Sequence, residues 1–440
     1  MAKPVTPAPE LTADIVALAH DGRGIARIDG KVVFVAGALP GERVRLLVQR
    51  RRRQMDEAAL LEILSPSPDR VTPKCAHFGV CGGCSLQHLA PSAQLAAKQG
   101  QLLEDLARIG RVVPERVLAP LQGPQWAYRR RARLGVKYVH KKGRVLAGFR
   151  ERDKPYLADI RCCEVLVESL RTLPGDLAAL VETLSIREHM PQVEVAVGDA
   201  ATALVFRVMR PPAPADIEKL EAFGLRHGVQ IFLQSGGPDT VAALHPGAAP
   251  LSYRIDAAGV SIEFGPLDFV QVNASINDSM VAAAIAELQA GPDDAVLELF
   301  CGLGNFTLPV ARGVRQVTGV EGDPGLVARA RANAAANGIA NAQFAAENLF
   351  EPAGWGPWAQ GRYACVLLDP PRAGAAAAML HMSQWAPRRI VYISCHPGSL
   401  ARDAGILAQS QGYRLIAAGV MDMFAQTTHV ESIAIFERPA

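Results

Sequence analysis

The chain has 440 residues, of which 49% are hydrophobic and 20% are charged, and its formal net charge is +3. A chain of this length is expected to hold two or three domains. No apolar stretch approaches the roughly 20 residues that cross a bilayer, and the proline-rich start has no signal-peptide core. We therefore expect a cytoplasmic protein without a membrane partner.

Residues 10–68 alternate short strands with Gly/Pro turns. Asp29-Gly30 is typical of a two-residue hairpin turn, and a second turn follows at Pro40-Gly41. This pattern predicts a small β-barrel, a fold that often binds single-stranded nucleic acid. Arginines between Arg43 and Arg53 supply suitable positive charge, although a run of charges is also typical of a solvated surface.

The chain contains eight cysteines, and cytoplasmic cysteines are more often ligands, nucleophiles or core residues than disulfides. Cys75, Cys81 and Cys84 form a C-x5-C-x2-C array on a glycine-rich loop. Three thiolates this close can converge on one metal centre, with Cys162 or Cys163 as the obvious fourth ligand. Zinc and an iron–sulfur cluster both accept four thiolates, so the spacing leaves both open.

Residues 69–263 predict a central α+β domain, with a helix from about Ala90 to Ile109. Between Arg129 and Lys154, eleven Lys/Arg residues stand against two acidic residues and are interleaved with aromatic ones. Basic side chains neutralise phosphates, and aromatic rings offer faces on which unpaired bases stack. The stretch therefore predicts a nucleic-acid surface, with an exposed basic β-meander as the alternative.

From about residue 264 to 440, strands alternate with helices, which predicts a parallel, doubly wound sheet. The strand 295–300 runs into Gly302 and Gly304, where the backbone can approach a ligand closely. The next strand ends at Glu321, and an acid at this place can bind ribose hydroxyls. Since the third glycine of a dinucleotide motif is missing, this spacing favours S-adenosylmethionine.

Later strands deliver Asn348, Asp369 and Cys395 to the same predicted edge, where open α/β sheets bind ligands. Cys395 ends the apolar run Ile390–Ser394 and precedes a Pro-Gly turn and a helix. The start of a helix would favour its thiolate form. A single cysteine is more often an inert core residue, but polar or reactive residues at four successive strand ends favour a functional site.

The chain resembles the RNA uridine-5-methyltransferase family of the RumA/TrmA type, in the branch that modifies 23S ribosomal RNA. The motifs that carry this resemblance extend over nearly the whole sequence: Asp21–Arg27, Val33–Val35 and Leu39–Glu42 of a TRAM-like, OB-type barrel, the cysteine array, Tyr128–Arg131, Phe269–Asn273, Phe300–Leu308, Asp369–Arg372, Ser394-Cys395 and His429–Ser432.

The resemblance implies methylation of C5 of one uridine in 23S ribosomal RNA by a monomer, through a covalent adduct between Cys395 and C6. Glu431 would be the base that removes the C5 proton. A [4Fe-4S] cluster would be held by Cys75, Cys81, Cys84 and Cys163. S-adenosylmethionine would be bound by six residues, namely Gln271, Phe300, Asn305, Glu321, Asn348 and Asp369.

Two positions depart from the family pattern. No proline follows the Cys162-Cys163 pair, and the register with Asp159–Arg161 favours Cys163 as the ligand. His396 stands after the nucleophile where Asn is common, and we assign it no chemical role.

The alternatives are a tRNA or another rRNA as the substrate, a cytosine-5 enzyme, and a non-catalytic iron–sulfur RNA-binding protein. A further alternative is an enzyme that methylates amino groups. Such an enzyme would carry an aromatic residue in place of Arg372, after the Asp-Pro-Pro motif.

Overall fold

The computed structural model describes residues 10–439. These residues form two compact units, an N-terminal one of residues 10–98, 151–154 and 426–428, and a larger one of residues 99–150, 155–425 and 429–439. The predicted domain limits at residues 68 and 263 stay predictions. Within the described part of the chain, no helix is both long and apolar enough to cross a bilayer.

The N-terminal unit contains a closed five-stranded barrel in the order β1-β2-β3-β5-β4. Asp29 and Gly30 both have positive φ, at 50° and 79°, and they join β2 to β3 as the two-residue turn that their sequence predicts. The predicted small barrel is therefore confirmed. Its elements and the helix that follows are β1 (Glu10–Leu18), β2 (Gly24–Ile28), β3 (Lys31–Ala36), β4 (Arg43–Arg51), β5 (Met55–Ser65) and α1 (Pro91–Asp105).

The predicted helix over residues 90–109 is confirmed as α1 and a π-helical turn at Leu106–Gly110. A six-stranded sheet follows, with the order β12-β11-β10-β9-β7-β8. The elements of this region are β6 (Arg116–Val117), β7 (Arg131–Val139), β8 (Arg144–Gly148), α2 (Leu173–Glu182), β9 (Gln192–Val197), β10 (Thr202–Arg207), α3 (Pro214–His227), β11 (Gln230–Gln234) and β12 (Val241–Ala243).

Acidic side chains neutralise part of the basic stretch that crosses this sheet. Arg130 pairs with Asp199, and Arg133 lies 3.1 Å from Glu194. Both acids lie outside the stretch, so a count of its own residues does not include them. The eleven basic residues therefore overstate the positive charge that this stretch presents to a ligand.

The remaining chain builds a two-stranded ribbon, β13 and β14, and an eight-stranded sheet in the order β17-β16-β15-β18-β19-β21-β20-β6. Its elements are β13 (Leu251–Ile255), β14 (Val260–Phe264), α4 (Ala274–Leu288), β15 (Ala295–Leu299), α5 (Thr307–Ala311), β16 (Gln316–Glu321), α6 (Pro324–Ala336), β17 (Ala342–Ala346), β18 (Cys365–Leu368), α7 (Ala376–Met379), α8 (Met382–Trp385), β19 (Arg389–Ser394), α9 (Pro397–Ser410), β20 (Arg414–Met421) and β21 (Glu431–Glu437).

Five neighbouring strands of this sheet, β15 to β19, run parallel as predicted. Strand β21 departs from that prediction, since it lies antiparallel between β19 and β20. All six residues of β19 are buried. The carboxyl end of β19 thus meets the amino end of β21 in the interior of the sheet.

Candidate active site

A cavity of about 580 Å³ opens at the carboxyl ends of the parallel strands, and its volume is within the range of roughly 300–1,000 Å³ that holds small ligands. The structure brings all eight predicted cofactor and catalytic residues to its lining: Gln271, Phe300, Asn305, Glu321, Asn348, Asp369, Cys395 and Glu431. Strand order explains part of this convergence, because parallel strands end at one edge, and the four residues at or just after such strand ends are Phe300, Glu321, Asp369 and Cys395. The chemical role of each residue stays a prediction.

The turn after β15 is shaped by three residues with positive φ. Phe300 has φ of 63°, and Gly302 and Gly304 have φ of 52° and 91°, a backbone conformation that glycine adopts without steric cost. The Gly302 amide donates a hydrogen bond to one carboxylate oxygen of Glu321 (3.1 Å). The amides of Gly322 and Asp323 donate to the other oxygen (2.7 and 3.1 Å). Three backbone amides therefore orient the Glu321 carboxylate.

Asn305 is held by two residues that the sequence analysis did not include. The Tyr253 hydroxyl donates to Asn305 Oδ1 (2.8 Å). Asn277 and Asn305 exchange two amide hydrogen bonds of 3.0 and 2.9 Å. Tyr253 lies on β13, before the predicted start of the catalytic domain at residue 264. A sequence signal for Asn277 exists, because it lies one helical turn after Asn273 of the Phe269–Asn273 motif.

Cys395 and Glu431 are brought to the cavity by the pairing of β19 with β21. Ser394 is the register partner of Ser432, and the Ser432 hydroxyl donates to the Ser394 carbonyl oxygen (3.2 Å). Cys395 and Glu431 are the next residues in the direction of the cavity. Glu431 is 3% exposed, so it is not the surface carboxylate of an edge strand that its local sequence alone would favour.

The cavity disfavours negative charge. Burial, together with the nearby carboxyl groups of Glu431 and Asp369, raises the pKa of the Cys395 thiol to about 11. Burial raises the pKa of Asp369 to about 7. Burial also raises the pKa of Glu431 well above its ordinary value, Asp369 adds to that effect, and Arg372 opposes it. The expectation that the helix start favours the Cys395 thiolate is therefore wrong for this cavity, because desolvation and two acidic neighbours outweigh it.

His396 has a structural place at the start of α9. It is the N-cap residue, and its Nδ1 accepts a hydrogen bond from the Ser399 amide (3.1 Å). A side chain that accepts from an amide of the first helical turn satisfies a group that the helix itself leaves unpaired. This capping contact explains why a polar side chain follows Cys395, and the explanation requires no chemical role for His396.

An aromatic and basic rim borders the same cavity. Arg372 Nη2 lies 2.8 Å from His429 Nδ1, and the rings of His429 and Phe424 are 5.1 Å apart. Phe269, which also lines the cavity, is 71% exposed. None of these four residues was predicted as a site residue, although three lie in the quoted motifs and Phe424 lies in the loop before His429.

The cysteine array lies in the N-terminal unit, whereas Cys162 and Cys163 lie in the larger unit. Backbone turns shape the loop that carries Cys75, Cys81 and Cys84. In this loop the Gly83 amide donates to Cys81 Sγ (3.4 Å), a contact that suits a ligating thiolate. Cys162 Sγ lies 4.0 Å from Glu164 Oε1, and Cys163 is 8% exposed. Between residues 10 and 439, no group of three or more His, Cys, Asp or Glu side chains is assembled as a metal site.

Known proteins match this chain in sequence over nearly its whole length. The family model described as tRNA (Uracil-5-)-methyltransferase matches residues 254–354 and 357–439, and the TRAM domain model matches residues 5–61. The chain is 52% identical to the 23S rRNA (uracil(1939)-C(5))-methyltransferase RlmD of Xanthomonas euvesicatoria, over 96% of both chains. It is 50% identical to the RlmD of Methylococcus capsulatus, over 98% of both chains.

A solved structure shares the fold. The tRNA (uracil-54, C5)-methyltransferase of Pyrococcus abyssi, in complex with S-adenosyl-L-homocysteine, matches with a TM-score of 0.71 at 22% identity. The match covers 97% of this chain and 100% of that one. The predicted TRAM barrel and methyltransferase fold are thus confirmed. The chain belongs to the family of RNA uracil-C5-methyltransferases that includes the RlmD enzymes, as its motifs predict.

Proposed function

We propose that this protein methylates C5 of uracil 1939 in 23S ribosomal RNA, with S-adenosylmethionine as the methyl donor. The observation that carries the proposal is the meeting of a thiol, a buried carboxylate and six predicted cofactor residues in one cavity. The sequence resemblance predicts this target, and RlmD relatives at 50–52% identity are named for it.

The cavity lining fits S-adenosylmethionine in the chemistry of its donors. The Glu321 carboxylate, oriented by three backbone amides, suits the two ribose hydroxyls. Asn348, Asn305 and Gln271 add polar contacts, while the Phe300 ring, 5.8 Å from that of Phe350, offers an apolar surface for the adenine. When bound, S-adenosylmethionine supplies the electrophilic methyl group.

Cys395 would activate the target base. Uracil C5 is a poor nucleophile, so the Cys395 thiol first passes its proton to water, and the thiolate sulfur then forms a bond to C6. The electron pair of the C5–C6 double bond then moves onto C5 and O4 as an enolate. C5 would use this pair to bond the methyl carbon, while the pair of the broken S–CH3 bond stays on the donor sulfur as a neutral thioether, and the base is then saturated at C5 and C6.

Glu431 would complete the reaction by removing the C5 proton. The electron pair of the broken C–H bond restores the C5–C6 double bond, and the sulfur leaves C6 with the pair of the S–C6 bond. Burial raises the pKa of Glu431, which makes its carboxylate a stronger proton acceptor. Without this step, the RNA would stay attached to the protein through Cys395.

The target uridine must leave its stack to reach the cavity, which costs a few kcal/mol and is easiest in a loop or single strand. The exposed Phe269 ring and the Arg372–His429 pair would receive the base and its phosphate at the rim. The barrel and the central sheet would hold the flanking RNA.

We also propose that Cys75, Cys81, Cys84 and Cys163 hold a [4Fe-4S] cluster with a structural or RNA-positioning role. We propose as well that the protein is a cytoplasmic monomer.

The test is methyl transfer from labelled S-adenosylmethionine to a 23S ribosomal RNA fragment, followed by hydrolysis to nucleosides. We expect 5-methyluridine, and no label on a matched fragment in which the target uridine is replaced by cytidine. A tRNA transcript serves as the second substrate. Label in 5-methylcytidine or in a methylated amino group would contradict the reaction, and preferential labelling of the tRNA would contradict the substrate.

A further inference from the structure

A three-residue piece of the β20–β21 loop belongs to the N-terminal unit. Phe424 and His429 line the cavity, yet residues 426–428 between them group with residues 10–98. The same loop leads directly into Glu431, the first residue of β21. Glu431, the predicted base, therefore follows closely in the chain after a segment that groups with the N-terminal unit.

The amide side chains of Gln94 and Gln426 form the centre of this attachment. Gln94 Nε2 donates to Gln426 Oε1 (3.1 Å), and Gln94 Oε1 accepts from the Gln426 backbone amide (3.1 Å). Gln94 Nε2 also donates to the carbonyl oxygen of Leu89 (2.8 Å). Gln94 and Gln426 are 1% and 2% exposed, so water cannot replace these contacts.

Backbone contacts fix the same segment from the cysteine loop. The Gln426 carbonyl oxygen accepts from the amides of Ser85 (2.9 Å) and Leu86 (3.0 Å), and Ser85 directly follows Cys84. The Thr428 amide donates to the Ser85 hydroxyl (3.0 Å). Gln426 has a φ of 67°, a conformation that costs a non-glycine residue free energy and persists where its surroundings hold it.

We infer that Gln94 is a positioning residue for proton removal by Glu431. It acts through Gln426, whose backbone and side chain it holds five residues before Glu431. The inference rests on the proposed function, because it needs Glu431 as the base that resolves the covalent adduct. Displacement of a catalytic group by about 1 Å can slow a reaction as much as 100-fold, so loss of this contact should slow one step selectively.

Two substitutions remove the side-chain contact from opposite ends. Gln94→Leu keeps a similar volume and removes the amide. Gln426→Gly removes the partner side chain and suits the positive φ. The control is Asn341→Ala. This substitution removes a side-chain amide that donates to the carbonyl oxygens of Ala311 and Val314 (both 2.9 Å), and Asn341 does not line the cavity.

The measurement compares RNA with hydrogen or deuterium at C5 of the target uridine. In both Gln variants we expect kcat to fall about 10–100-fold, the deuterium effect on kcat to rise, and the share of RNA linked to protein in a denaturing gel to increase. These changes follow because breaking the C5–H bond becomes the slow step. Asn341→Ala should keep the wild-type isotope effect and adduct share, whatever its stability.

Folded Gln94→Leu and Gln426→Gly proteins with the wild-type isotope effect and adduct share would overturn the inference. A lower rate without these two changes would assign Gln94 a structural role only, and would overturn it as well. Absence of 5-methyluridine formation by the wild-type protein is a different result, which would overturn the proposed function instead.

Discussion

Ser394 and Ser432 are register partners on antiparallel strands, although 38 positions separate them in the sequence. This pair aligns the two strands so that the next residue of each, Cys395 and Glu431, reaches the same cavity. Two side chains at the ends of hydrogen-bonded strands, here the proposed nucleophile and the proposed base, have little freedom to separate. Their relative position is therefore set by the backbone of the sheet.

The first prediction concerns Cys395→Ala. This variant should bind the target RNA with an affinity close to that of the wild-type protein, because the thiol is a small part of the RNA-binding surface. It should form no 5-methyluridine and no covalent complex with RNA that carries 5-fluorouridine at the target. Binding is measured by titration at fixed salt, and the complex by a denaturing gel. Methylation at a wild-type rate would show that another residue is the nucleophile.

The second prediction concerns Glu431→Gln. The amide has nearly the shape of the carboxylate but cannot accept the C5 proton, so the methylated RNA should stay bound to Cys395. A protein–RNA band that resists denaturation should accumulate, and turnover should fall by at least about 100-fold, the lower end of the usual contribution of general base catalysis.

The double variant Cys395→Ala/Glu431→Gln is the matched control for this experiment and should give no such band. A Glu431→Gln protein that turns over normally without a covalent band would exclude Glu431 as the base. A band that persists in the double variant would show that the RNA is attached at another residue.

A third prediction follows from the raised pKa of Cys395. With a pKa of about 11, only about one thiol in a thousand is ionised at pH 8. Alkylation of Cys395 by iodoacetamide in the protein alone should therefore speed up nearly tenfold per pH unit from about pH 7 to 10. Mass spectrometry of the Cys395 peptide measures this rate.

Removal of a neighbouring negative charge should shift that profile. Glu431→Gln should lower the pKa of Cys395 and increase its alkylation rate at a given pH, because the thiolate no longer lies beside a carboxylate. Buried Cys365, 0% exposed, is the internal control and should stay unmodified in the folded protein. A rate that levels off near pH 8.5 would mean that the thiol has its ordinary pKa, and a pH-independent rate between about pH 7 and 10 would mean that its pKa lies below about 7.

The fourth prediction tests the proposed cluster. Replacement of Cys75, Cys81 or Cys84 by serine should abolish iron and acid-labile sulfide in protein purified without oxygen, while Cys365→Ser keeps both. Comparison of Cys162→Ser with Cys163→Ser identifies the fourth ligand, and we expect loss of iron with Cys163→Ser. Zinc in place of iron in the wild-type protein would contradict the [4Fe-4S] assignment.

Much of the fold is encoded locally and is therefore predictable from the sequence. The Asp29-Gly30 turn follows from two residues that tolerate positive φ, and the cavity follows from strands that end at Glu321, Asp369 and Cys395. Each of these features depends on a few neighbouring residues and on the rule that parallel strands end at one edge.

Other features depend on contacts between distant parts of the chain, and they could not be predicted. The insertion of β21 depends on strand pairing over tens of residues, and Tyr253 reaches Asn305 from outside the predicted catalytic domain. The raised pKa of Cys395 depends on burial and on Asp369 and Glu431, so no local pattern reports it.

The attachment of residues 426–428 to the N-terminal unit also bears on how the protein is made. Ribosomes synthesise the barrel and the cysteine loop well before the segment that completes this unit, because most of the larger unit lies between them in the sequence. Gln94 and Ser85 must wait for Gln426 before their buried contacts form. A chain that ends before residue 426 would therefore lack part of both units, and the N-terminal unit cannot complete its packing before most of the larger unit has been translated.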